Sequence, residues 1–315
     1  MMLLASVLLG TGLVWLFVIA LDPFSTGRLT PFAQIDIAFG PRASHAARVR
    51  DLRFDSAIFG NSHAYRLEPA RLDAATGRHF AQLAMEKTFP PEQMFLARQF
   101  ELRRHGKDVL LVMVLDHLWC APTRATDDDW KMPRWLYEGS NFEYARGLFS
   151  QVAFIGALRR LRILLGVDGD FSRSDGYDPE PWMPADVAKK RQEMAVMGRP
   201  TNAPDPGAPF PFVEDLASEI GQFDLHTSVL LLFPPVYAGF LPAPGSHAEA
   251  RFSACTVRAQ HIVNTRPRMS YLNLRSDDAT TRDVNRFVDP THYDEGIAQA
   301  IVPQIATALR HMTSN

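Results

Sequence analysis

The sequence predicts an α/β protein: a three-layer sandwich around a five-stranded, mostly parallel sheet, preceded by one N-terminal transmembrane helix. Five short and largely continuous apolar runs predict strands that are buried on both faces, as in a parallel sheet. Helical patterns lie between these runs, and this alternation is typical of α/β folds with right-handed crossovers. An uncharged stretch of 21 residues opens the chain and predicts the membrane helix.

The opening stretch, residues 1–21, has no charged side chain before Asp22. About 20 apolar residues cross the core of a bilayer as a helix, so the stretch is just long enough. It lacks the basic start and the small-residue cleavage site of a signal peptide, which favours an uncleaved anchor over residues 1–22. A signal peptide and a buried core helix are the alternatives. Four arginines follow and by themselves favour a cytoplasmic C-terminal side, but this rule weakens before a large domain, so the orientation stays open. They are Arg28, Arg42, Arg48 and Arg50.

Strands and helices alternate along the rest of the chain. The predicted strands are residues 55–60, 79–84, 107–116, 228–235 and 269–274. The predicted helices are 90–106, which starts with Pro and stops at Gly, then 142–165, 247–263 and 295–312. Pro303 predicts a kink or an early break in the last helix. In the second helix a set of apolar residues at helical spacing is expected to pack in the core. They are Leu148, Val152, Ile155, Leu158 and, as the next position of the pattern, Leu161 or Arg162.

These predicted helices and strands divide the chain into three parts. Residues 1–22 form the anchor, residues 23–50 form a linker, and residues 51–312 form one α/β domain. A helical and loop insertion interrupts that domain at about residues 121–211. Within it, residues 168–211 are dense in Gly, Pro and Asp, which predicts a surface excursion that serves as a lid or a docking flap.

Composition and cysteine content exclude several functions. The chain has 33 basic and 35 acidic side chains, and a net charge of −2 argues against a nucleic-acid binder. Two cysteines exclude a disulfide scaffold and a four-cysteine zinc site. We expect Cys120 and Cys255 to be separate buried thiols, with pairing in an oxidising compartment as the alternative. The histidines show no metal-ligand spacing, and residues 127–129, three aspartates, are expected to be a solvated loop. No metal or cofactor is predicted.

The first candidate for chemistry is Ser62, in the segment Phe-Gly-Asn-Ser-His at residues 59–63. It directly follows the first predicted strand of the sheet, and ligands bind at the carboxyl ends of strands in open parallel sheets. Gly60 permits a tight turn that exposes the serine hydroxyl and its backbone N–H. The alternative is a serine that only caps the following helix.

The second candidate is the pair Asp289 and His292, three residues apart just before the last helix. A serine hydroxyl is a weak nucleophile until a base takes its proton, and that base needs a carboxylate to hold its tautomer. A turn of this kind brings both side chains to one site. The alternative is an ordinary turn and helix cap, since Asp-Pro is a common turn pair.

Taken together, Ser62 and the Asp289/His292 pair resemble the first and last motif blocks of the SGNH, or GDSL-like, hydrolase superfamily. The usual G-D-S is G-N-S here, and the closing D-x-x-H is intact. More narrowly, the chain looks like the membrane-anchored, envelope-associated branch that includes proteins related to alginate O-acetylation and lipoteichoic-acid D-alanylation. The matching segments are residues 21–24, Leu-Asp-Pro-Phe after the anchor, and residues 60–63 and 289–293. The resemblance implies a flavodoxin-like arrangement of the five strands.

The resemblance also implies roles for these residues. Ser62 would be the nucleophile and one oxyanion donor through its backbone N–H, His292 the general base, and Asp289 the residue that orients it. The family's other oxyanion donors are a Gly after the second strand and an Asn after the third, and this chain has neither. In their places, or beside the serine, stand the remaining candidate oxyanion and substrate-binding residues. These are Asn61, His63, Ala84 (or the adjacent Met85), Asp116 and His117.

The function implied is a membrane-tethered serine esterase or O-acyltransferase that forms an acyl-Ser62 intermediate. Its substrates would be acyl groups, acetyl above all, of a cell-envelope polysaccharide or of a small acylated molecule. A membrane-bound protein is the expected acyl donor, and the soluble domain is expected to be periplasmic or otherwise extracytoplasmic. Because the Gly and Asn motifs are missing, the alternative is an inactive accessory protein of polysaccharide assembly or export. An α/β-hydrolase is disfavoured, because residues 60–64 lack the second Gly of G-x-S-x-G.

Overall fold

The computed structural model of the protein describes residues 2–30, 40–124, 130–169, 173–178 and 186–313. These residues divide into two compact units. The smaller unit comprises Met1–Asp51 and Lys131–Gly176, and the larger comprises Leu52–Trp130 and Tyr177–Asn315.

The described residues form the following helices and strands. The helices are α1 (Met2–Leu21), α2 (Pro41–Arg50), α3 (Pro69–Thr76), α4 (Pro90–Leu102), α5 (Arg134–Tyr137), α6 (Asn141–Gly147), α7 (Gln151–Leu164), α8 (Val187–Ala195), α9 (Pro211–Ile220), α10 (His247–Val263), α11 (Ala279–Arg282) and α12 (Glu295–Thr313). The strands are β1 (Ser56–Phe59), β2 (Phe80–Gln82), β3 (Val109–Val114), β4 (Thr227–Phe233), β5 (Met269–Asn273), β6 (Phe287–Asp289) and β7 (His292–Tyr293).

The larger unit is built on a five-stranded sheet in the order β2-β1-β3-β4-β5, and every neighbouring pair is parallel. The predicted fold class and all five predicted strands are confirmed. Strands β1 to β4 are buried along their whole length, as their continuous apolar sequences require. The strand order reverses between β1 and β3, and crevices for ligands form at such switch points.

Helices cover both faces of this sheet and complete the three layers. On one face α12 packs against α3, β4 and β5, and on the other α4 contacts β1 and α9, which in turn contacts α10. The apolar side of α12 is fully buried, from Ile297 through Ile301 and Ile305 to Leu309. The same helix is continuous through Pro303, so the predicted early break is wrong. The Pro303 side chain is exposed.

The smaller unit assembles around a buried polar cluster at the end of α1. Asp22 Oδ1 lies 2.9 Å from the Tyr144 hydroxyl and 3.2 Å from that of Thr26, while Oδ2 accepts the Gly27 N–H at 2.7 Å. Arg160 Nη1 donates to the Asp22 carbonyl at 2.7 Å. These bonds join the residues after α1 to α6 and α7.

This packing changes the predicted organisation of the chain. The expected linker, residues 23–50, belongs with α1 to a compact unit, and residues 41–50 form α2. The expected insertion at 121–211 is divided, because residues 131–176 belong to the smaller unit, in which α7 contacts α1, and the rest belongs to the larger unit. The first division between the two units falls between Asp51 and Leu52.

The predicted helix 142–165 is two helices, α6 and α7. Ser150 caps the second by accepting the Ala153 N–H, which starts a new helix where the sequence pattern looked continuous. Leu148 is buried as expected. The expected core packing of Val152, Ile155 and Leu158 is wrong, because all three are exposed on α7.

Helix α1 is strongly apolar, with no charged side chain in its 20 residues, and is mostly exposed, with Val18 as its buried residue. By length and composition it is able to cross a membrane. A signal sequence passes the same test. The alternative of a buried core helix is excluded by the exposure of its side chains.

Cys120 and Cys255 form a disulfide, so the expectation of separate thiols is wrong. Cys120 ends a one-turn helix, His117–Cys120, that follows β3, and Cys255 lies in α10, after β4. Because β3 and β4 are neighbours in the sheet, the segments after them meet, and the two Cα atoms stand 5.6 Å apart. The separation of the two cysteines along the sequence does not predict this contact.

The Gly- and Pro-rich excursion at 168–211 is described only in part. Within it α8 contacts β6, and Arg191 donates to the carbonyls of Phe287 at 3.0 Å and Asn285 at 2.9 Å. This part of the excursion therefore supports the end of the chain that carries Asp289 and His292. The three aspartates at 127–129 lie outside the described residues.

Candidate active site

Ser62 follows β1 at the point where the strand order reverses. Gly60 lies between β1 and Ser62. A Cβ at this position would stand 3.0 Å from Val114 Cβ and 3.1 Å from Ala64 Cβ, so a larger residue fits only if these neighbours shift. Ser62 begins a one-turn helix, Ser62–Ala64, which Asn61 caps by accepting the His63 N–H at 3.1 Å. The strand, the glycine and the cap together fix the serine at the carboxyl edge of the sheet.

Asp289 and His292 are held by a small antiparallel hairpin in which β6 pairs with β7. The register places Asp289 directly opposite His292. Asp289 Oδ1 accepts the Thr291 N–H at 2.9 Å and the His292 N–H at 3.1 Å, which closes the two-residue turn between the strands. The predicted turn is therefore present, and it places Asp289 and His292 side by side.

The three predicted catalytic side chains meet. His292 Nε2 lies 2.8 Å from Ser62 Oγ, and His292 Nδ1 lies 2.8 Å from both carboxylate oxygens of Asp289. The carboxylate faces Nδ1, which places the ring proton there and leaves Nε2 as the acceptor for the serine hydroxyl. Activation of a serine as a nucleophile requires a base beside its hydroxyl and a carboxylate beside that base, and these three side chains have that arrangement.

Asp289 is held in its charged form. Burial alone would raise its pKa, but the hydrogen bond and charge of His292, with further bonds from the Thr291 N–H and hydroxyl, hold that pKa well below its usual range.

His63 is buried beside the catalytic histidine, with ring centroids 4.8 Å apart. Burial first, and then the neighbouring His292 and His117, lower the pKa of His63 to about 3. The ring is therefore neutral, and its 3.9 Å approach to Asp116 is not an ion pair at neutral pH. Tyr293 fixes the segment by donating its hydroxyl to the His63 carbonyl at 2.8 Å.

The other predicted oxyanion residues form different contacts within the protein. The Asn61 amide donates to the buried Asp116 carboxylate, so it stabilises the turn and is not directed at a substrate. Burial raises the pKa of Asp116, and the bond from Asn61 opposes that rise. Ala84 is buried and its N–H donates to Gln82 Oε1 at 3.3 Å, so it is not a free oxyanion donor.

The neighbouring backbone donors are engaged in the same way. The Met85 N–H donates to the Gly60 carbonyl at 3.0 Å. His117 is exposed and lies 6.3 Å, centroid to centroid, from His63. By contrast, Ser62 begins its one-turn helix, and no described residue accepts its N–H.

A cleft of about 50 Å³ opens over Ser62 and His292. Its further lining residues are His63, Tyr65, Arg66, Glu86, Val288 and Tyr293. Of the predicted secondary residues only His63 lines it, and the sequence reasoning missed the others. Tyr65 and Arg66 lie three and four residues after Ser62, and Tyr293 directly follows His292, so spacing from the catalytic residues could have found them. Prediction of Glu86 as a lining residue would have required the knowledge that the segment after β2 lies beside the segment after β1.

Within the described residues no group of three or more His, Cys, Asp or Glu side chains is arranged to hold a metal ion. No model of a known protein family matches this chain, and no curated protein matches its sequence significantly. The class of site therefore rests on its geometry: a serine, a histidine and an aspartate in series, at the carboxyl edge of a parallel sheet.

Proposed function

We propose that the protein is a membrane-tethered serine esterase or O-acyltransferase of the SGNH type that acts on acyl groups of a cell-envelope polysaccharide. The observation that carries this proposal is the continuous contact from Ser62 Oγ through His292 to Asp289, with 2.8 Å at each step. The sheet order and the position of the serine after the first strand support the same assignment.

The reaction follows from the positions of these groups. His292 Nε2 takes the Ser62 proton as Oγ attacks the acyl carbonyl carbon, and the Ser62 N–H donates to the oxygen that becomes negative. The tetrahedral species collapses, the ester bond breaks, and His292 returns the proton to the departing alcohol. Water or a sugar hydroxyl then gives its proton to His292 and attacks the acyl-serine, which releases Ser62 and completes hydrolysis or transfer.

The cleft supports a short acyl group such as acetyl. A single water needs about 10–15 Å³ of such space, so a cleft of about 50 Å³ takes a group of only a few non-hydrogen atoms. Arg66 and Glu86 at its lining offer charged and hydrogen-bonding groups to a polar carrier such as a sugar. A polysaccharide substrate, or a small acylated donor, fits this combination.

The proposed location is a membrane, with the larger unit on the extracytoplasmic side. Cleavage of a signal peptide would cut close to residues that the smaller unit buries, Asp22, Phe24, Ser25 and Thr26, which supports a retained anchor. The disulfide supports an oxidising compartment for the larger unit. A membrane-bound acyl-donor protein remains part of the proposal as the source of the acyl group.

The test of this proposal is release of acetate from an aryl acetate by the full chain in detergent. Ser62→Ala is expected to abolish the release, while Ser218→Ala, which removes an exposed hydroxyl on α9, leaves it unchanged. Equal rates in the wild type and Ser62→Ala would exclude the serine mechanism. Adding a glycan acceptor separates the two activities, because a transferase diverts the acetyl group from water to the glycan.

A second candidate function is glycan binding without catalysis. It is favoured by one observation, that the Ala84 and Met85 N–H groups and the Asn61 amide are all bonded within the protein, which leaves the Ser62 N–H as the oxyanion donor identified here. This alternative predicts that the wild type and Ser62→Ala bind the glycan equally and that neither releases acetate.

A further inference from the structure

The outer face of α7, defined as Val152, Ile155 and Leu158, presents three exposed apolar side chains at a spacing of three residues. Phe149, just before the helix, is exposed beside them. Single exposed apolar side chains are ordinary, but a contiguous stripe of them marks an interaction surface. The question is what covers this stripe.

Three contacts show that α7 and the segment before it lie along the C-terminal half of α1. The Trp15 Nε1–H donates to the Ala145 carbonyl at 3.0 Å, and the rings of Phe17 and Phe154 are 6.4 Å apart. Further along both segments, Arg160 donates to the Asp22 carbonyl at 2.7 Å. Later residues of the α1 segment contact later residues of the α7 segment. The two helices therefore run side by side in the same direction.

The length of α1 then fixes the depth of α7. With 20 residues, α1 needs its whole length to cross a hydrocarbon core of about 30 Å. Phe17 lies about 6 Å from the C-terminal end of the helix, at about 1.5 Å per residue. Phe154 lies at the same depth because its ring contacts Phe17. The residues next to Phe154 on α7 lie at similar depths.

We propose that the hydrocarbon chains of the bilayer that α1 spans cover the outer face of α7. This inference rests on the proposed role of α1 as a membrane anchor. Amphipathic helices at membrane surfaces bury their apolar faces by about 5–10 Å, which matches the depth given by Phe17. The first basic side chain of α7, Arg159, occurs where α1 ends, because the next residue, the buried Arg160, contacts the Asp22 carbonyl.

The test uses the full chain in phospholipid vesicles whose acyl chains carry a nitroxide quencher. The chain has two cysteines and they are bonded to each other, so one introduced cysteine is the sole free thiol for a fluorophore. Val152→Cys reports the outer face of α7, with Ile155→Cys as a second variant. The matched control is Val257→Cys on α10, because Val152 and Val257 are 57% and 61% exposed. Leu8→Cys reports α1 itself.

The labels at Val152 and Leu8 are expected to lose most of their fluorescence to the lipid quencher, while the label at Val257 loses none. Quenching at Leu8 without quenching at Val152 and Ile155 would overturn the proposal for α7 and leave the anchor intact. Absence of quenching at Leu8 would overturn both. A label at Val152 could instead escape the lipid quencher and lose its exposure to water only at high protein concentration. This result would show that a second copy covers the face and would also overturn the proposal.

Discussion

Reduction of the Cys120–Cys255 disulfide is expected to destabilise the larger unit strongly. The bond joins the segment after β3 to α10, and Arg251 of α10 adds a hydrogen bond to the Cys120 carbonyl at 3.0 Å. In the native protein the hydrogen bond from Arg251 joins the same two segments as the disulfide. The main effect of reduction therefore falls on the unfolded chain, which gains freedom.

The size of the effect follows from the span of the bond. Cys120 and Cys255 are 135 residues apart. In the loop-entropy description, a crosslink of this span removes about 17 cal/mol/K from the unfolded chain, which is about 5 kcal/mol at room temperature. Domains are stable by about 5–15 kcal/mol, so reduction would remove a large share of the total.

Hydrogen exchange of the β3 and β4 amides in increasing urea, resolved by mass spectrometry, measures the stability of this unit in the full chain. A reducing agent should lower the free energy of unfolding by up to about 5 kcal/mol. The control is the double variant Cys120→Ser/Cys255→Ala, in which the reducing agent should change nothing. Two reactive thiols in the denatured, unreduced wild type would show that the bond does not form and would refute the reasoning.

Three further predictions concern the site. Asp289→Asn replaces the carboxylate that orients His292, so kcat for an aryl acetate should fall by about 10⁴-fold with the fold retained, and a loss below about tenfold would contradict the assigned role. His63 has a pKa of about 3 in the native protein and 6.5 when unfolded. Protons therefore bind the unfolded state below pH 6.5, and stability should fall by about 2 kcal/mol down to about pH 5. Urea titrations should show this loss in the wild type and not in His63→Gln, and equal pH dependence would count against a neutral buried ring. Arg191→Ala removes two hydrogen bonds to the backbone beside the catalytic hairpin and should lower kcat by up to about 10²-fold, while Lys189→Ala, an exposed neighbour, should leave it unchanged. Equal kcat values for these two variants would show that the hairpin does not depend on Arg191.

The sheet could be predicted because burial on both faces leaves a direct trace in the sequence. The runs around Ile58, Val112 and Leu230 are apolar without alternation, and each is a fully buried strand. Ser62 and the Asp289/His292 pair could be predicted because each lies at an element boundary with a recognisable turn. Their contact follows from the carboxyl edge of the sheet, where the ends of the elements converge.

The errors arise where a local pattern is satisfied by a different tertiary arrangement. The periodicity of Val152, Ile155 and Leu158 is a true helical stripe, but hydrophobic spacing does not distinguish a face turned to the core from one turned outward. The break in this pattern at Ser150 depends on a side-chain cap. Pro303 is tolerated because it lies on the exposed side of α12, which periodicity alone did not weigh.

The oxyanion donors were the least predictable part of the site. They are backbone N–H groups, whose availability depends on what else they bond, and the sequence does not record this. Ala84 lies near the position that the resemblance implies, but its N–H is bonded to the side chain of Gln82. The disulfide was missed for a related reason, because its formation depends on β3 and β4 being neighbours in the sheet.

The central claim, that His292 and Asp289 activate Ser62 as a nucleophile, is tested most directly by reaction with a fluorophosphonate. The full, folded chain is treated with the probe, and the modified peptide is identified by mass spectrometry. We expect modification of Ser62 in the wild type, none at that position in Ser62→Ala, and a rate reduced by orders of magnitude in His292→Ala. A folded wild-type protein that is not modified at Ser62, or a His292→Ala variant modified at the wild-type rate, would contradict the account.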